Sequence, residues 1–151
     1  MDASSRYSCR EEFMLPIEES EICIPSDTSE GQAVQQQIVG RLQELDFSVR
    51  DVFAVQLALE EAITNAIKHG NQGNPKKQVR IAWRIDSDRI RVEIEDEGAG
   101  FDPKHLPDPT TEENLEKPSG RGVMLIREFM SLLEFNERGN MMVMEKERTQ
   151  E

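Results

Sequence analysis

Three side chains in one short segment are of a kind that does chemistry rather than packing. In "LEEAITNAIKHGN", residues 59–71, Glu61, Asn65 and His69 follow one another at intervals of four, so in an α-helix they stack along one stripe. A carboxylate there can serve as a general base, and an amide oxygen suits a hard cation such as Mg²⁺. Taken alone, the stripe equally fits a helix edge touching solvent, where Glu and Asn are ordinary.

Two glycine motifs follow. "DEGAGF", Asp96 to Phe101, comes directly after a strand-like run. Gly98 and Gly100 would let the backbone approach a ligand closely, and the Asp96 carboxylate can accept from an exocyclic amine. The third glycine of a dinucleotide fingerprint is missing, and no helix opens there. In "SGRGV", Ser119 to Val123, Gly120 and Gly122 stand at the mouth of a helical pattern with Arg121 between them. Free N–H groups and the positive end of a helix dipole favour phosphate, and the arginine adds a cation. No Lys-Ser/Thr pair follows the glycines, so this is not a P-loop.

Each motif by itself also reads as a glycine-containing turn. Their order changes the reading, because a helix-borne Glu/Asn pair precedes the first glycine motif, a long polar loop and then the second. That is the set a nucleotide site needs: a metal ligand, an adenine acceptor, a lid and a phosphate nest.

The elements that must position these residues can be traced along the chain. Residues 1–19 are polar and poorly patterned and read as a flexible N-terminal extension, leaving 20–147 as one domain. "SEICIP", 20–25, reads as a first strand, and Val34, Ile38, Leu42 and Leu45 mark a helix from about Ser29 to Leu45. Ser48 caps a second helix, predicted to run to about Lys68 and to end at Gly70 in the usual left-handed manner. "QVRIAWRI" and "RIRVEIED" alternate with period two around "DSD", which predicts a hairpin with Ile90, Val92 and Ile94 facing one way. The stretch 103–119 is a long polar loop, of a length that is usually functional. A helix from the second glycine motif follows, then two strands joined around Glu137–Asn140. The order predicts an α+β two-layer sandwich, with a mixed or antiparallel sheet and helices on one face.

Composition excludes several classes. With 30 acidic against 18 basic residues the formal charge is −12, which argues against nucleic-acid binding and against adhesion to an anionic membrane. No apolar run reaches membrane-spanning length and the start lacks a signal-type core. Cys9 and Cys23 make no disulfide framework, and with only His69 and His105 a structural zinc site is not expected. The expected setting is the cytoplasm.

"EEAITNAIKHGN", "DEGAGFDP" and "GRGVMLIREFMS" resemble the asparagine box and the two glycine boxes of the Bergerat-fold ATP-binding superfamily of gyrase, histidine kinases and MutL. Within it the chain is most similar to the anti-sigma factors that are also serine-protein kinases, the RsbW and SpoIIAB type. The resemblance implies that ATP and Mg²⁺ are the cofactors. It implies Glu61 as the carboxylate that polarises the attacking group, Asn65 as the Mg²⁺ ligand and Asp96 as the acceptor for the adenine amine. Gly98 and Gly100 would pass the adenine, Gly120, Arg121 and Gly122 would face the phosphates, and 102–118 would be the ATP lid. His69 would sit near the lid without a catalytic duty.

The chain departs from the family where relatives often carry a threonine on the penultimate strand near the adenine, since "RGNMMVME" offers only Asn140 and methionines. It departs again just before the second glycine box, where some carry an arginine and Pro118 and Ser119 stand here. The implied activity is phosphorylation of a serine on a STAS-domain anti-anti-sigma factor, with a sigma factor as the alternative partner, and the family suggests a homodimer. A non-catalytic nucleotide-binding or sigma-sequestering module of the same fold is the competing expectation. A detached histidine-kinase catalytic domain also fits the boxes, but lacks an upstream dimerisation helix bearing a phospho-accepting histidine.

Overall fold

A computed structural model describes residues 17–98 and 126–149. Five strands, β1 (Glu18–Pro25), β2 (Gln78–Ile85), β3 (Arg89–Glu95), β4 (Leu132–Phe135) and β5 (Met141–Glu147), form one sheet in the order β1-β2-β3-β5-β4. Every pairing is antiparallel, with Ile22 opposite Ile81, Trp83 opposite Val92 and Val92 opposite Met144. Helices α1 (Thr28–Glu44) and α2 (Val49–Asn65) lie between β1 and β2 in sequence and cover one face of the sheet.

Strand alternation decides which face is covered. In β2, Val79, Ile81, Trp83 and Ile85 are buried, and in β3 Ile90, Val92 and Ile94, against Val34, Ile38 and Leu42 of α1 and Val55, Leu59 and Ile63 of α2. Each such aliphatic side chain removed from water contributes about 1.5–3 kcal/mol. The helices meet closely at Gly31, where an added Cβ would stand 2.7 Å from Ile63 Cγ2. The opposite face of the sheet is ionic: Arg80 reaches Glu21, Glu93 and Glu95, and Arg91 reaches Glu145.

Both helix starts follow their caps. The Asp27 carboxylate accepts from Ser29 N at 2.8 Å, and Ser48 Oγ accepts from Asp51 N at 3.1 Å. The first strand begins earlier than its hydropathy implies, at Glu18 rather than residue 20. The reason is a carboxylate turned toward the helical layer: Glu18 accepts from Trp83 Nε1 at 2.6 Å and Arg41 Nε at 2.7 Å. A charged residue in an inward position hides the alternation.

Residues 126–129 are helical, with Ile126 and Met130 buried in the core. The start of that expected helix, and the long loop before it, lie outside the described residues. No helix among the described residues is long and apolar enough to cross a membrane.

Candidate functional site

The α2 helix does not end at Gly70 in a left-handed cap. After Asn65 it widens into a π turn, Ala66–Gly70, closed by Asn71 N donating to Ala66 O at 2.8 Å. Positive φ appears only beyond it, at Gln72 and Gly73. Glycine is needed at 70 for a different reason. An added Cβ there would stand 2.3 Å from the Asp96 carboxyl carbon, and one on Gly98 would stand 1.9 Å from Gly70 O. The first glycine motif is thus pressed against the end of the helix that carries Glu61 and Asn65, and π turns of this kind are frequent at functional sites.

Asn65 is the most telling residue in the molecule. Its Oδ1 and Nδ2 are both withdrawn from solvent, and neither has a hydrogen-bond partner among the described residues. Leaving a buried amide unsatisfied costs about 1–3 kcal/mol, so a fold keeps one where something else is meant to bind it. One helical turn earlier, the Glu61 carboxyl is pushed up by burial and by the neighbouring Glu60. His69 is exposed within the π turn.

Asp96 lies just beyond β3. Burial pushes its carboxyl up, and the bond it accepts from Gly98 N at 2.8 Å, with Arg138 and Lys77 nearby, only partly offsets that. Its backbone is fixed from β5: Asp96 N donates to Asn140 O at 2.9 Å, and Asn140 Nδ2 donates to Asp96 O at 3.0 Å.

Several positioning residues lie outside the sequence motifs. Asn71 is fully buried; its Nδ2 donates to Ser26 Oγ and Gln78 O, both at 3.0 Å, and its Oδ1 accepts from Glu97 N at 2.7 Å. It ties the end of β1, the start of β2 and the turn after Asp96 to the π turn. Glu97 in turn accepts from Gln78 N. Asn140 and Arg138, from the β4–β5 turn, hold the same segment from the other side, Arg138 Nη2 donating to Gly98 O at 3.0 Å. An asparagine directly after the glycine at the helix end was the one sequence signal for Asn71.

The structure therefore brings Asp96 and Gly98 onto the helix end that follows Glu61 and Asn65. Gly100, Gly120, Arg121 and Gly122 lie outside the described residues. The residues present fit a metal-bound nucleotide: an amide unpartnered among the described residues for a hard cation, a buried carboxylate as hydrogen-bond acceptor, and a turn that Gly98 lets close onto the helix end.

Comparison with known proteins points the same way. Residues 24–146 match the histidine kinase-like ATPase domain family. An anti-sigma F factor of Bacillus cytotoxicus is 33% identical over 62% of this chain and 65% of its own length. An anti-sigma F factor of Clostridium beijerinckii is 35% identical over 64% of this chain and 70% of its own. The serine-protein kinase RsbW of Oceanobacillus iheyensis is 29% identical over 70% of each. The chain thus spans roughly two thirds of the length of these relatives. The crystal structure of the RsbU and RsbW domains of a Mycobacterium tuberculosis protein shares the fold, with a TM-score of 0.60 at 15% identity, over 88% of this chain and 32% of that one.

Proposed function

The chain belongs to the histidine kinase-like ATPase domain family, with the anti-sigma factors and RsbW-type serine-protein kinases as its relatives, and from that premise we propose that it is an ATP-dependent serine-protein kinase that doubles as an anti-sigma factor. Its substrate is a serine on a STAS-domain anti-anti-sigma factor, and its other partner is a sigma factor in the cytoplasm, bound in exchange for the first. A homodimer is the expected assembly.

The observation that carries this reading is the enclosed amide of Asn65, unpartnered among the described residues, one turn from Glu61. Bound Mg-ATP supplies a transferable phosphoryl group and the cation that neutralises its charge. The chain supplies the rest. Asn65 offers its amide oxygen to the cation. Asp96 accepts from the adenine amine, and Gly98 lets the turn that carries Asp96 close onto Gly70 at the helix end. Glu61, with its proton affinity raised by burial, would orient a serine hydroxyl and take its proton as the hydroxyl oxygen bonds to the γ-phosphorus and the bond to the departing ADP breaks. On motif position, Gly100 is assigned to the adenine side and Gly120, Arg121 and Gly122 to the phosphates.

One observation favours the non-catalytic alternative, a sequestering module. The stretch "RGNMMVME" offers Asn140 and methionines but no threonine, and the side chain of Asn140 is engaged within the chain by Asn136 and Asp96. Glu61 favours catalysis, because a module that only binds has no use for a desolvated base.

The test is phosphate transfer from Mg-ATP to STAS proteins of the same genome, read by mass spectrometry, beside calorimetry of Mg-ATP binding. We expect Glu61→Gln to keep its ATP affinity and lose transfer by about 100- to 10,000-fold. Tight Mg-ATP binding with no transfer to any STAS protein of that genome would establish the sequestering module instead.

A further inference from the structure

Arg138 is exposed and stands in the turn between β4 and β5. The turn is closed by Gly139 at φ 74° and by a reciprocal amide pair. Asn136 Nδ2 donates to Asn140 Oδ1 at 2.7 Å, and Asn136 Oδ1 accepts from Asn140 N at 3.0 Å and Met141 N at 3.2 Å. This stiff turn grips the segment 96–98 at two points. Asn140 Nδ2 takes Asp96 O at 3.0 Å, and Arg138 Nη2 takes Gly98 O at 3.0 Å. Between those anchors the Asp96 carboxylate accepts from Gly98 N at 2.8 Å. The direction in which Asp96 presents its oxygens is therefore set by where the Gly98 peptide is held.

Resting on the ATP reading above, we propose that Arg138 is a positioning residue for the purine: by holding the Gly98 carbonyl it aims the Asp96 carboxylate at an amine on the six-position of the ring and so sets the preference for adenine over a six-oxo purine. A carboxylate only accepts hydrogen bonds. A six-amino group satisfies it, whereas a six-oxo group places acceptor against acceptor, and a buried polar group left unpaired is what makes hydrogen-bonding sites discriminate strongly. Arg138 also places a positive charge near Asp96, opposing the effect of burial and of Glu95 on that carboxyl. The contact is made by one guanidinium nitrogen, Nη2, whose direction a lysine ammonium on its flexible stem does not fix in the same way.

The experiment is calorimetry of the full chain with Mg-ATP and Mg-ITP, whose hypoxanthine ring carries the six-oxo group, on wild type, Arg138→Gln and Arg138→Lys. Because Arg138 is exposed, all three are expected to fold, which circular dichroism checks. We expect wild type to prefer ATP and Arg138→Gln to lose about tenfold in ATP affinity, the scale of one charge-assisted hydrogen bond. ITP affinity should change little, so the preference narrows, and Arg138→Lys should restore only part of it. If both nucleotides weaken by the same factor, or neither changes, Arg138 has no part in purine choice and the inference falls alone. If wild type binds neither nucleotide, the ATP reading falls and takes the inference with it.

Discussion

Asp51 and Asn65 lie near opposite ends of α2, and the polar atoms of both are removed from water, yet their surroundings differ in kind. Asp51 accepts from Thr149 N at 2.8 Å and Thr149 Oγ1 at 2.6 Å, with Lys146 Nζ 3.9 Å away. Burial pushes its carboxyl up, but Thr149, Lys146 and Ser48 together outweigh that and hold it below the usual carboxylate range. Beside it, Arg148 donates to Leu45 O, Asp46 O and Ser87 O and stacks over Phe47 with its guanidinium 3.9 Å from the ring centre. At the other end Asn65 has no partner among the described residues, and Glu61 and Asp96 are both pushed up by burial. One helix is anchored where it starts and left unsatisfied where it would meet a ligand. Polar groups that serve stability are recognisable here by having their bonds made, and those that serve binding by lacking them.

The sharpest test of that contrast is Asp51→Ala. It leaves the Thr149 hydroxyl, its amide and Lys146 without their acceptor, and we expect a loss of about 2–4 kcal/mol in denaturant unfolding with Mg-ATP affinity unchanged. Asn65→Ala should do the reverse. No hydrogen bond among the described residues is lost and alanine is the better helix former, so stability should rise by about 1 kcal/mol while Mg²⁺-dependent nucleotide affinity collapses. A loss of stability in Asn65→Ala would show that this amide is structural and break the comparison.

The smallest effect separates the two carboxylates by pH. The raised Asp96 carboxyl takes up its proton more readily folded than unfolded, so its charge opposes folding above that raised range, and acidification relieves the strain. Asp96→Asn should therefore melt above wild type at neutral pH, with the gap closing as pH falls. Asp51 has the opposite sign: its stabilising contribution is full above the unfolded carboxylate range and is lost as pH drops through its lowered folded value. The Asp51→Asn deficit should accordingly be largest near neutrality and fade in acid. Thermal melts of the three proteins across that range check both.

Local pattern made much of this legible. Period-two alternation located β2 and β3, helical spacing located α1 and α2, and Ser48 marked a cap that the structure bears out. Asp96 and Gly98 were singled out because a glycine turn after a strand has a recognisable composition, and they do meet the helix that carries Glu61 and Asn65. What escaped depends on contacts distant in sequence. Gly70 looked like an ordinary helix stop, because nothing local shows that Asp96 rests on it. Asp51 was not singled out, because its partner Thr149 comes 98 residues later. Glu18 looked too polar for a sheet, because Trp83 and Arg41, which satisfy it, belong to later elements.

The grip of Arg148 on the connection between the helices spans 103 residues, from Leu45 to the end of β5. Bringing ends so far apart together carries a large entropic cost that only nearly complete structure offsets. That contact should therefore be absent from the folding transition state, so weakening it quickens the rate at which the native chain comes apart and leaves the refolding rate almost untouched. In stopped-flow chevrons of Arg148→Ala the change should fall on the unfolding arm, which makes this corner a brake on unfolding that prolongs the lifetime of the native protein.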